Sequence, residues 1–285
     1  MTLDIQWYPG HMAKARRQMA EQLGAVDMVI EVVDARIPAA SRNPDFDQLF
    51  GTKARLLVLN KADLADPAVT RAWQRAMAEK GIGAMESNAK SGRERKAILA
   101  ALEAAARPQV QAMLEKKGVR KTVRALIAGI PNVGKSALIN CLSGSASART
   151  GDRPGVTRGQ QLIRVSPYLE LLDTPGVLWP KLEIQSHALH LAFTGAVKDE
   201  IMDGYNLSLA LLAELRQKAP QALEKRWPIV WGDNDGENLL AICRLRGLMQ
   251  KGGVPDEERA AALVLREFRD GKLGRITLEA PDDEP

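Results

Sequence analysis

The 285-residue sequence predicts an α/β domain with a mostly parallel sheet over residues 1–180, then a small helical domain over residues 181–285. Three observations predict this. Short β-branched runs alternate with helical spacings as far as about residue 180, the pattern of a parallel sheet covered by helices. Beyond residue 181 the apolar spacing is almost wholly helical. The chain is 45% hydrophobic and 26% charged, which excludes a disordered protein, and its two cysteines are too few to staple a small fold.

The elements follow in order. Ala25–Val33 is apolar and β-branched, a buried strand with Asp34 at its carboxyl end. Arg55–Leu59 is a second strand running into Asn60. A helix from Pro67 to Lys80 opens with proline, whose fixed φ suits a first turn. Ile82–Glu86 is a short strand, and Gly92–Ala106 carries Ile98, Leu99, Leu102 and Ala106 at helical spacing. The basic stretch 107–124 resembles a linker. Val123–Gly129 is a strand, followed by a glycine-containing turn and a helix over 134–142. Residues 144–159 form a Gly/Ser/Arg/Thr-rich loop. Gln161–Val165 and Tyr168–Leu172 form a hairpin. In the C-terminal part, Leu239 to Met249 fit one amphipathic helix, 237–249, and Ala260 to Phe268 fit another, with Gly252, Gly253 and Pro255 between them.

No stretch approaches the ~20 apolar residues of a membrane span. Met1–Gly10 has no apolar core of a signal peptide. Together with two cysteines that read as small apolar residues, this predicts a cytoplasmic protein without a membrane partner. Net charge is +5. The basic residues concentrate near the N-terminus (His11, Lys14, Arg16, Arg17), in 107–124 and in 149–164. These are either solvated faces or segments converging on a phosphate backbone.

Gly129-Ile-Pro-Asn-Val-Gly-Lys-Ser136 matches G-x-x-x-x-G-K-[ST] between a predicted strand and helix, the setting that pattern requires. Backbone N–H groups of Asn132, Val133, Gly134, Lys135, Ser136 and Ala137 would surround phosphate oxygens at a helix N-terminus. Lys135 would bridge the β- and γ-phosphates, and the Ser136 hydroxyl would ligate Mg²⁺. Asp173-Thr-Pro-Gly176 ends a strand. Asp173 would hold Mg²⁺ from its other side, and the Gly176 N–H would sense the γ-phosphate. Thr157 is either a third Mg²⁺ ligand from a switch loop or a turn threonine.

Asn60-Lys61-Ala62-Asp63 also follows a strand. The Asp63 carboxylate can accept from guanine N1–H and N2–H₂, an edge adenine lacks, and the Lys61 stem can lie along the base. Ser87-Asn88-Ala89-Lys90 stands where a second base-contacting loop belongs, with the Ala89 N–H directed at guanine O6. The usual form is Ser-Ala-Lys, so Asn88 is a departure.

These are the five nucleotide motifs of a translational-class GTPase in permuted order, with the guanine motifs before the phosphate motifs. A compact domain with neighbouring termini tolerates such a permutation. The chain resembles the circularly permuted ribosome-assembly GTPases of the YlqF type. The resemblance rests on Gln6–Ala15 (QWYPGHMAKA), Asp34-Ala-Arg-Ile-Pro38, Asn60–Asp63, Gly129–Ser136, Pro154–Thr157, Asp173–Pro180 and Phe268–Glu279. It implies GTP hydrolysis during late maturation of the large (50S) ribosomal subunit and contact with 23S rRNA. It also implies a helical C-terminal domain that binds RNA, as in bacterial antiterminators. Arg244 and Arg246 on helix 237–249 are expected to face that RNA, and the protein is expected to be a monomer in solution.

The position after Asp173–Gly176, where many GTPases carry glutamine, holds Val177, which cannot orient water. His11 is the expected substitute, its neutral imidazole orienting or accepting from water. Its other reading is a surface or RNA-contacting histidine. By resemblance, Asn132 would help hold K⁺ near the phosphates. His187 and His190, with no carboxylate or cysteine cluster beside them in sequence, are expected to serve packing or solvent rather than metal. Two further functions remain open from the sequence alone: a GTP-gated RNA-binding module with negligible hydrolysis, which Val177 supports, and a GTPase acting on tRNA or another non-ribosomal RNA.

Overall fold

The computed structural model describes residues 20–118, 122–144, 161–173, 184–197 and 203–283. Among these, β1 (Met28–Asp34), β2 (Ala54–Asn60), β3 (Gly83–Ser87), β4 (Val123–Ala128), β5 (Gln161–Ser166) and β6 (Leu169–Asp173) form one sheet in the order β3-β2-β1-β4-β6-β5. All neighbours run parallel except the β5–β6 hairpin. The first three strands step one way from β1, and β4 then begins the opposite side. β1 and β4 therefore flank the switch point where open α/β sheets bind ligands, beyond the carboxyl ends of the strands.

The helices are α1 (Asp45–Phe50), α2 (Pro67–Glu79), α3 (Arg95–Lys117), α4 (Lys135–Ser143), α5 (Gln185–Phe193), α6 (Gly204–Lys218), α7 (Pro220–Arg226), α8 (Asp235–Leu245) and α9 (Glu257–Arg269). None of the helices in the described residues is long and apolar enough to cross a membrane. β1 is buried at every residue, as a central strand covered on both faces should be. One face carries Ile98, Leu102, Leu138 and Ile139 from α3 and α4. The other carries Trp73 and Met77 of α2 and, separately, Phe46 and Phe50 of α1.

Two expected elements need correction, and one helix was not expected. The supposed linker 107–124 is helical to Lys117, because Val110 still packs on the core and Gln109 Nε2 donates to the Asp27 carbonyl at 3.0 Å. Pro108 is accommodated inside α3, which stops at left-handed Gly118. The expected helix 237–249 ends at Leu245. Left-handed Gly247 turns the chain there, and Met249 pairs with Pro255 in an isolated bridge. The six-residue helix α1 has no sequence counterpart, being too short for a periodic signal. Two phenylalanine rings 4.7 Å apart hold it to the sheet.

In the helical part, α6 packs on α9 and α8, with Trp227 fully buried. Side chains of Asp203, Asn234 and Asp256 cap the N-termini of α6, α8 and α9. Glu267 of α9 is buried between Arg226 and Arg246. Arg246 thus forms an ion pair within the fold while its side chain stays 31% exposed. Its guanidinium shares with Arg226 the charge of that buried carboxylate. After α9 the chain runs back across the α/β domain as a strap, residues 271–280, ending in a 3₁₀ turn at Pro281–Asp283.

Candidate functional site

The parallel register aligns the carboxyl ends of the strands. Asp34 pairs with Asn60, Asn60 with Ser87, and Ile127 with Asp173. Three loops therefore open at one edge of the sheet: 60–66 after β2, 87–92 after β3 and 129–134 after β4. The last is the phosphate-loop sequence, and it is built around two glycines. Gly129 has φ 155°, and a Cβ there would lie 2.4 Å from the Val32 carbonyl oxygen. Gly134 has φ 95°, and a Cβ there would lie 2.3 Å from Asn60 Nδ2. Only glycine fits either position.

Asn60 is the joint between the base half and the phosphate half. Buried, it donates from Nδ2 to the Val133 carbonyl at 2.7 Å and accepts at Oδ1 from the Ala89 N–H at 3.3 Å. The motifs expected to converge are thus held together by one side chain. The Ala89 N–H, expected to face guanine O6, is directed at Asn60 here. Asn88, the departure from the usual pattern, holds its loop closed, because its Oδ1 accepts from Lys90 N and Ser91 N, each at 3.1 Å. Asp63 is exposed at the mouth of the site.

Lys135 is buried at the start of α4. Its ammonium donates to the carbonyls of Gly129 (3.1 Å) and Ile130 (2.8 Å). Burial lowers its pKa to about 8 although the Asp173 carboxylate raises it. A phosphate would restore the partner charge that burial removes. The two carbonyls hold the ammonium over the loop until then. Asp173 is itself buried at the end of β6, and Ser136 is half-buried in the first turn of α4. A cradle that excludes any Cβ, a buried ammonium and a nearby carboxylate fit a nucleotide polyphosphate with its Mg²⁺. Asn132, at φ 62°, donates from Nδ2 to the Gly195 carbonyl beyond α5 at 2.6 Å. His11, Thr157, Gly176 and Val177 lie outside the described residues.

Two arrangements have partners that the sequence did not indicate. Asp34, buried at the end of β1, accepts from Arg36 Nε at 2.9 Å and pairs with Lys61 Nζ at 2.9 Å. Burial pushes its carboxyl up, but Arg36 and Lys61 hold it well below the ordinary carboxylate range. Burial likewise pulls the Lys61 ammonium below its usual value, against the Asp34 charge. The pair anchors the Lys61 side chain at the carboxyl end of β1, with Lys61 itself at φ 59°. Arg36 continues to the Phe268 carbonyl at 3.5 Å and stacks on that ring at 5.4 Å, tying the base loop to α9. The Asp-Ala-Arg spacing after a strand was the available signal.

The second is His190. The sequence set no carboxylate beside it, but the fold does. Nδ1 lies 2.6 Å from Glu279 and Nε2 lies 2.8 Å from Glu214. Burial opposes protonation, yet the two carboxylates raise the imidazole to about 9. It is an ion-paired packing residue, and among the described residues no group of three or more His, Cys, Asp or Glu could hold a metal. Glu279, which lies close to Asp282, Asp283 and Glu284 in sequence, is buried and also accepts from the N–H groups of Ala39 (2.7 Å) and Ala40 (3.1 Å). Burial raises both cysteine thiols, which keeps them protonated and unreactive.

Residues 124–223 match the family model described as 50S ribosome-binding GTPase. A Bacillus cereus protein named ribosome biogenesis GTPase A is 48% identical over 281 residues, covering 98% of this chain and 95% of that one. Mouse mitochondrial ribosome-associated GTPase 1 is 35% identical, covering 96% and 90%. The crystal structure of GNP-bound YlqF from Thermotoga maritima superposes with a TM-score of 0.65 at 30% identity, covering 95% of this chain and 100% of that one.

Proposed function

This chain belongs to the ribosome biogenesis GTPase A family, and from that premise we propose that it hydrolyses GTP in the cytoplasm during late maturation of the 50S subunit. It acts as a monomer and holds 23S rRNA through the helical domain. The observation that carries the nucleotide assignment is the Asn60–Val133 hydrogen bond, which joins the base loop to the phosphate loop. Asn60–Asp63 and Ser87–Lys90 take the guanine. Asn132–Ala137 and Gly176 take the phosphates.

Ser136, Thr157 and Asp173 would hold Mg²⁺, which when bound supplies charge neutralisation at the β- and γ-phosphates. Lys135 leaves the carbonyls of Gly129 and Ile130 for the same phosphates. K⁺ at Asn132 would be held through the side-chain oxygen, since the amide nitrogen donates to Gly195. Val177 offers the attacking water no hydrogen bond. His11 takes that role by elimination, because Thr157 and Asp173 serve the metal and His190 is locked between Glu214 and Glu279.

Purified 50S and 30S subunits test the assignment. GTP-dependent co-sedimentation with 50S and faster GTP turnover in its presence are expected. Binding to 30S alone, or binding indifferent to nucleotide, overturns it. Stimulation that never rises above the rate of the free protein would favour a GTP-gated RNA-binding module, the role Val177 also suits. Within this assay, His11→Ala is expected to keep GTP and 50S binding while lowering stimulated kcat by roughly 10²-fold, the scale of a lost general base. An unchanged kcat returns His11 to RNA contact.

Asp63→Asn is expected to weaken GTP and favour xanthosine triphosphate, because an amide can donate where the carboxylate only accepts. Competition between the two nucleotides for one labelled probe measures it. Unaltered GTP preference would remove Asp63 from the base site.

A further inference from the structure

The base loop is finished by the far end of the chain. Arg275 Nη2 donates to the Ala62 carbonyl and Nε to the Ala65 carbonyl, both at 2.8 Å. The Ile276 N–H donates to the Leu64 carbonyl at 3.0 Å, and the Thr277 hydroxyl accepts from the Asp66 N–H at 2.9 Å. Three consecutive strap residues thus hold the backbone of residues 62–66 from behind. The strap is itself fixed. The Leu278 N–H donates to the Arg36 carbonyl at 2.8 Å, Trp73 Nε1 donates to the Glu279 carbonyl at 2.9 Å, and Lys218 of α6 reaches the Leu278 carbonyl.

We infer that Arg275 is a positioning residue for guanine selection, the strap acting as a brace that aims Asp63 at the base. This rests on the assignment of Asn60–Asp63 to guanine. The physical reason is peptide planarity. The Ala62 carbonyl and the Asp63 nitrogen belong to one rigid plane, so fixing the direction of that carbonyl fixes where Asp63 begins. Asp63 is exposed, and Lys61 before it sits at positive φ, where a non-glycine backbone is strained and stays only if its surroundings hold it. Arg275 suits this position because its planar fork can serve two carbonyls at once. Lysine presents a single point charge.

The test compares GDP with inosine diphosphate, which lacks only the 2-amino group that Asp63 would bind. ADP serves as a control, and a thermal melt of each full-length variant is recorded. Wild type is expected to prefer GDP over inosine diphosphate by about tenfold, the scale of one hydrogen bond to a charged group. Arg275→Met, which keeps the stem, is expected to shrink that preference to about twofold, and Arg275→Lys to restore it in part. Thr277→Val, which removes only the bond to Asp66, is expected to lower it less and carries the test if Arg275→Met does not fold. An unchanged preference in Arg275→Met overturns the brace. Parallel loss of both nucleotides with a lowered melting temperature also overturns it, as the mark of a merely structural role. Wild type binding GDP no better than ADP would bring down the base-site assignment itself.

Discussion

Gly134→Ala is expected to lower affinity for GTP and GDP by about 10²-fold or more. Two penalties coincide. A side chain at φ 95° is strained by roughly 1–2 kcal/mol. Its Cβ would also lie 2.3 Å from Asn60 Nδ2, so Asn60 must leave the Val133 carbonyl. Losing that buried hydrogen bond and stranding its acceptor costs a further ~1–3 kcal/mol. Both penalties fall on the geometry that takes phosphate, and the second also releases the Ala89 loop that Asn60 holds. Calorimetric titration with GDP measures the effect. An affinity within threefold of wild type would show that Asn60 does not couple the two halves.

Glu279→Ala is expected to destabilise the protein by about 3–5 kcal/mol, the range for removing one partner of a buried ion pair. It leaves the protonated His190 facing Glu214 alone and strands the N–H groups of Ala39 and Ala40. Against a total stability of roughly 5–15 kcal/mol this is a large share. The wild-type pH profile has a matching shape. The folded His190 is raised to about 9 from an ordinary value of 6.5, so its contribution is fully present below 6.5 and is lost as pH rises through 9. Burial raises Glu214, but His190 and Lys218 hold it below its ordinary 4.5, so its contribution is lost as pH falls below that value. Urea midpoints should therefore be highest near pH 5–6 and decline towards pH 8, above which the lowered Lys135 pKa begins to offset the His190 loss. Glu279→Ala should show a shallower alkaline decline. A midpoint flat from pH 6 to 8 in the wild type would contradict the His190 assignment.

Much of the α/β half was legible because its signals are local. The runs at β1, β2 and β4 are apolar and β-branched, and each helix joining them buries residues at regular spacing. The phosphate loop was legible because its glycines answer a steric demand that no other residue meets. What escaped depends on residues distant in sequence. The basic charge of 107–124 suggested a linker, yet packing of Val110 carries the helix onward. The ion pair of Arg246 was not legible, because its partner Glu267 stands on another helix. Glu279 sat in an acidic tail by composition, whereas His190 and two backbone N–H groups draw it inside. Asn88 weakened the motif as a pattern while strengthening the loop as a structure.

The strap also sets an order in time. The two bonds from Arg275 reach back across 210 and 213 residues. A growing chain lengthens at about 5–20 residues per second, so roughly ten to forty seconds separate the synthesis of the base loop from that of its brace. The strands β1, β2 and β3 are made early and can pair, as can the phosphate loop after them. The loop 60–66 waits for residues made some 210 positions later. On the proposed role of Arg275, selective nucleotide capture awaits the synthesis of residues 275–277, and a shorter nascent chain still attached to its own ribosome does not yet possess it.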